Sequence, residues 1–117
     1  MTRIPESEWI WYGFGGHFVC RDRCGYHLCT RIGGYLISTI GHFVRDWHKD
    51  SNVTPLRCEP DSFYETMVFT CYGEDDDGNP NITDHNPIAE ECYVKSIDAE
   101  RGHRAYCERY ASRPETR

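Results

Sequence analysis

No stretch of this chain approaches the roughly 18 consecutive apolar residues that a membrane-spanning helix needs, so no membrane association is expected. The opening run MTRIPESEW has no apolar core segment and no cleavage site, so no secretory signal is expected there. Internal repeats are missing. So are HExxH, His-x-Glu and any Cys-x2-Cys doublet, the usual marks of zinc enzymes and zinc ribbons. An EF-hand is excluded as well. With Gly78 at the sixth loop position, Asp75 and Asp77 fall at the third and fifth, but Gly73 stands where the first carboxylate should be.

What is present fits one globular domain spanning residues 1–117. The chain is 38% hydrophobic, 27% charged and 14% aromatic, enough to build a core without obligatory cross-links. The net charge of −6 is uneven: residues 1–58 carry net +2 and residues 59–117 net −8. An acidic half repels phosphates, which argues against nucleic-acid binding by the whole surface. It leaves two readings, a solvated face and a face for a basic partner. Arg21, Arg23 and Arg31, with Tyr26 and Tyr35, make a local basic-aromatic neighbourhood of the kind zinc knuckles use to stack on single strands. Three charges give only a small phosphate term, so ordinary turn arginines are the simpler account.

Short strands are expected in the first two thirds. Trp9 to Tyr12, a glycine-rich turn at residues 13–16 and His17 to Cys20 read as a hairpin over 9–20. Residues 27–44 hold the next strand region, entered through Gly33 and Gly34. Tyr35, Ile37 and Thr39 face one way and Leu36, Ser38 and Ile40 the other; apolar character on both sides marks a central strand. Residues 62–72, SFYETMVFTCY, form another strand, and 46–62 and 74–87 read as loops. A short helix is plausible over Ile88 to Lys95. From 98 to 112 the period changes: His103, Tyr106, Cys107 and Tyr110 lie on one helical face. Ser96 or Asp98 would cap it. The fold class is therefore α+β, a small antiparallel sheet packed by a C-terminal helix.

Seven cysteines leave one over from any full set of disulfides. Without a secretory signal the reduced state is expected, and reduced cysteines grouped with histidines suggest a structural zinc. One ligand set joins Cys20 and Cys24, on the turn after the hairpin, to His103 and Cys107, one turn apart on the helix. The other is local, drawing on Cys20, Cys24, His27 and Cys29; the last two, two apart on a strand, point to the same face. Cys58, Cys71 and Cys92 are expected as buried apolar side chains, or as disulfide partners in an oxidising compartment. His17 is a further candidate ligand, His42 and His48 surface or strand-end residues, and His85 a solvated one. A thiol enzyme would need Cys24, Cys29, His27 and Asp22, or Glu65 as a base, in a geometry that no motif fixes.

The segments GHFVC, CGYHLCT, GGYLIST, YETMVF and RGHRAYC together resemble a group of small bacteriophage-encoded proteins, over most of the chain except 46–62 and 73–95. The resemblance implies no catalytic residues. It implies work in the cytoplasm of a bacterial host, and by analogy of context the binding of a host protein such as a defence or transcription factor. The leading expectation is a zinc-stabilised interaction protein; the alternatives are a small zinc- or thiol-dependent enzyme and a nucleic-acid-binding knuckle.

Overall fold

The β-branched and aromatic runs of the sequence pair into one antiparallel sheet, described in a computed structural model over residues 3–12, 27–41, 43–44, 53–54 and 64–113. For 43–44 and 53–54 the backbone alone is described. The strands are β1 (Ile10–Trp11), β2 (His27–Ile32), β3 (Tyr35–Ile40), β4 (Phe43–Val44), β5 (Val53–Thr54), β6 (Tyr64–Glu74), β7 (Pro80–Ile82) and β8 (Ala89–Tyr93). Among the described residues one α-helix, α1, runs Ser96–Ala111. Strand order in the sheet is β1-β2-β3-β6, and the outer side of the long β6 is shared by β8 and β7. β4 and β5 form a separate two-stranded pair.

β2 and β3 are joined by the two-residue turn Gly33-Gly34, with Gly33 at φ 59°. A β-carbon resists that left-handed conformation, which is why glycine stands there. All six residues of β3 are buried, as expected of a central strand. β6 has its own irregularity, a register shift between Tyr72 and Glu74 around Gly73 at φ 51°, the signature of a glycine bulge.

Register divides the sheet cleanly. Thr30 opposes Ile37, which opposes Val68, and Leu28 opposes Thr39, which opposes Thr66. This face meets α1: Ile32, Tyr35, Ile37 and Val68 form one core with Trp9, Tyr106, Cys107 and Tyr110. The other face holds a second core of Cys29, Leu36, Met67, Phe69 and Cys71, with Tyr12 and Ile82 against it. The helix buries Ala99, His103, Tyr106, Cys107, Tyr110 and Ala111, a single stripe at helical spacing. Its last turn is tied back to the N-terminal segment, where the Ile4 amide donates to the Ala111 carbonyl at 2.9 Å, satisfying one of the acceptors that a helix end leaves open.

Four expectations change, the first being that the expected loop over 46–62 contains the two-residue strand β5, paired with β4. Residues 89–93 are a strand and not a helix: β8 pairs with β6 from Ala89↔Val68 to Tyr93↔Tyr64. The expected loop over 74–87 contains β7, a three-residue edge strand that begins at Pro80, where a missing amide does least harm. The helix starts with Lys95 as its N-cap and without a side-chain cap bond, so neither Ser96 nor Asp98 caps it. The expected return strand at 17–20 lies outside the described residues. β1 pairs with β2, Ile10 opposite Arg31.

α1 approaches β8 closely. A β-carbon on Gly102 would lie 2.5 Å from Cζ and 2.6 Å from Cε1 of Tyr93, and nearer still to its hydroxyl. Glycine in a helix interior costs about 1 kcal/mol relative to alanine. Here its missing side chain is what lets the Tyr93 ring reach the helix.

Candidate functional site: a buried histidine network and an acidic border

The helical spacing brings His103 and Cys107 to the sheet side of α1, both at 0% exposure. Facing them are three threonines that alternation places on one side of β2, β3 and β6. His103 Nε2 lies 2.9 Å from Thr30 Oγ1. Its Nδ1 lies 2.7 Å from Thr39 Oγ1, which is itself 2.6 Å from Thr66 Oγ1. A neutral imidazole has one donor and one acceptor nitrogen, and hydroxyls can answer either, so both ring positions are satisfied. The Trp11 ring lies over the edge of this network, its centroid 6.0 Å from that of His103, and the Arg104 guanidinium sits 5.7 Å from the Trp11 centroid.

Burial sets the charge states. It holds the His103 pKa down at about 4, with the nearby positive charge of Arg104 acting in the same direction. Burial likewise pushes the Cys107 thiol up to about 11, against a lowering hydrogen bond from Thr30. A nucleophile needs an accessible thiolate and a base with a free lone pair. Cys107 and His103 provide neither, and their arrangement is that of a polar core whose members satisfy one another.

His27 and Cys29 stand on β2 with their side chains on the opposite face from Thr30, as the two-residue spacing predicts. The sheet therefore lies between them and the His103–Cys107 pair. Glu65, 2% exposed, is on the same face as His27, in the cross-strand row His27–Ile40–Glu65–Cys92. With strands about 4.8 Å apart, His27 and Glu65 are separated by roughly 10 Å of backbone. Among the described residues no group of three or more His, Cys, Asp or Glu side chains is placed to hold one metal ion. Cys20, Cys24, Cys58, His17, His42, His48, Asp22, Arg21, Arg23 and Tyr26 lie outside the described residues. Of the other cysteines, Cys71 is a free buried thiol, as expected, and so is Cys107; Cys29 is buried and in no disulfide. Cys92 is disulfide-bonded, so the reduced state expected of the cysteines does not hold at that position.

Arg31, the described member of the basic neighbourhood, is committed to the fold. Its Nε donates to the Gly33 carbonyl at 3.0 Å and its Nη1 to the Gly73 carbonyl at 2.8 Å. The acidic half is organised differently. Glu74, Asp75, Asp76, Asp77, Asp84, Glu90 and Glu91 are all exposed along the outer border made by the end of β6, by β7 and by β8, and no lysine or arginine interrupts residues 74–91. Asp75 Oδ1 accepts the amides of Asp77 and Asn79, at 2.9 and 3.0 Å, which fixes the β6–β7 turn. His85 is exposed within this border, as expected. Large apolar side chains also lie exposed there, Tyr72 at 61% and Ile88 at 47%.

The threonine partners of His103 were not singled out from sequence. Alternation put Thr39 on the Tyr35–Ile37 side of its strand, but which helix residue that side meets depends on register and docking. Among the described residues no helix is long and apolar enough to cross a membrane. No protein-family model, no curated protein and no solved structure matches the chain.

Proposed function

We propose that this chain is a small non-enzymatic interaction protein that docks a basic protein partner on the acidic border from Glu74 to Glu91. The observation that carries this reading is the combination of exposed carboxylates, in a stretch 74–91 that contains no lysine or arginine, with exposed Tyr72 and Ile88 on the same border. Solvation alone accounts for the carboxylates. An aromatic ring set among them supplies the desolvated contact that concentrates binding energy, while the surrounding charge steers the encounter. The buried state of His103 and Cys107 supports the non-enzymatic part, since the most reactive side-chain types of the helix are enclosed and mutually bonded. By analogy of context, the resemblance to bacteriophage-encoded proteins supports a bacterial host protein as the partner.

The test is capture from bacterial lysate by the wild-type chain and by a variant carrying Asp75→Asn, Asp77→Asn, Glu90→Gln and Glu91→Gln. The expected result is a basic protein retained by the wild type, lost in the folded variant, and released from the wild type as salt is raised. Equal retention by both proteins would contradict the proposal.

A structural zinc belongs to the same proposal. Of the two ligand sets that the sequence offers, the local one of Cys20, Cys24, His27 and Cys29 is favoured, because both nitrogens of His103 are already engaged by threonine hydroxyls. Native mass spectrometry should find one zinc in the wild type and in His103→Gln, and none in the combined His27→Ala, Cys29→Ser variant. Zinc that disappears with His103→Gln would restore the helix-bound set.

A further inference from the structure

Where β2 turns into β3, the end of the sheet leaves an open cleft of about 1120 Å³ between the N-terminal segment and the end of β6. Ile10 and Tyr72 give it apolar walls, and Glu8 and Glu74 give it carboxylates. Both apolar residues are solvent-exposed, Ile10 at 41% and Tyr72 at 61%. Glycines at 33, 34 and 73 line the cleft without side chains, which keeps it open. Among the described residues Arg31 is the one cation in its lining, and its guanidinium is held by the Gly33 and Gly73 carbonyls. Against that single charge stand Glu8 and Glu74, and from Glu74 the exposed Asp75, Asp76 and Asp77 continue into the β6–β7 turn. The balance is acidic. Glu74 is also positioned, its Oε2 accepting from the Tyr12 hydroxyl at 3.3 Å.

A cleft with an exposed aromatic ring and carboxylates suits a guanidinium flanked by apolar side chains. The ring face attracts the cation, the carboxylates accept its fork of donors, and the apolar walls take the neighbouring residue. Resting on the interaction-protein reading and deepening it, we propose that this cleft is the anchor of the docking surface and takes one arginine of a linear, basic and apolar segment of the partner. The rest of the acidic border steers that segment toward the anchor.

The probe is a short fluorescent peptide that alternates arginine and leucine, titrated at moderate salt into the full chain. Glu8→Gln with Glu74→Gln is expected to weaken binding about tenfold or more, which corresponds to about 1.4 kcal/mol. Tyr72→Ala, which changes no charge, is expected to do the same. Asp98→Asn with Glu100→Gln makes the same charge change on α1, away from the acidic border, and is expected to alter affinity by about twofold or less, as for screened surface charges. In amide NMR spectra the peptide should shift Gly33, Gly34 and Gly73. Equal weakening by the two carboxylate pairs, or no effect of Tyr72→Ala, would overturn the cleft while leaving the wider acidic docking reading intact. No binding to the wild type would overturn the cleft as well. The wider reading stands or falls separately, by capture of a basic partner that is lost on neutralising the border.

Discussion

Gly102→Ala is expected to destabilise the chain even though alanine is the better helix former. The added methyl would meet Cζ of Tyr93 at 2.5 Å and Cε1 at 2.6 Å. Tyr93 is 9% exposed and anchored at the end of β8, so its ring has little room to retreat. Overpacking of this kind costs about 1–3 kcal/mol or more, against a helix gain of about 1 kcal/mol. The net expectation is a loss of about 1 kcal/mol, roughly 3–5 °C in Tm for a chain of this size. The sign should reverse once the ring is gone. In a Tyr93→Ala background, Gly102→Ala is expected to be neutral or stabilising by up to about 1 kcal/mol. Thermal unfolding of the four proteins as a double-mutant cycle checks this, and a destabilisation that persists without Tyr93 would assign the cost elsewhere.

Acid is expected to weaken the fold through His103. In the unfolded chain its imidazole titrates at about 6.5, and in the folded chain at about 4. Between those values the unfolded state takes up a proton that the folded state refuses. The stability gained by keeping the ring neutral is therefore fully present above about pH 6.5, declines as pH falls, and is gone below about pH 4. The whole change amounts to roughly 3 kcal/mol. Carboxylates contribute to acid sensitivity too, so the comparison that isolates His103 is with His103→Gln. That variant should be less stable at pH 7, having lost a fitted ring from the threonine network. Its further loss between pH 7 and pH 4 should be smaller than that of the wild type by roughly the same 3 kcal/mol. Urea unfolding at a series of pH values measures both quantities.

The elements read correctly from sequence are those in which burial repeats within one segment. Tyr35–Ile40 is apolar on both faces and turns out central and wholly buried. His103, Tyr106, Cys107 and Tyr110 share a helical stripe and all face the core. Residues 89–93 misled because AEECY carries two glutamates beside a helix-rich region; what makes it a strand is the ladder to β6, a partner more than twenty residues away. The candidate site shows the same division. Spacing correctly placed His103 beside Cys107 and put His27 with Cys29 on one face. It could not tell that the two pairs lie on opposite sides of the sheet, nor that three threonines from three strands converge on the imidazole. A single shift of register on β3 would turn Thr39 away and present Ser38 or Ile40 instead. Ligand-like spacing and hydrogen-bonded core spacing look alike in one dimension, and only the facing strands separate them.

The central claim is that the His103–Cys107 pair is an internal polar core and not a reactive or metal-binding site. Nitrogen NMR of the His103 imidazole in the full chain, followed from pH 7 to pH 4.5, tests it most directly. The account predicts a neutral ring in slow exchange with solvent, both nitrogens hydrogen-bonded to hydroxyls, with no titration until about pH 4. A ring that titrates near pH 6.5, or whose nitrogen signal moves when a chelator is added, would contradict it.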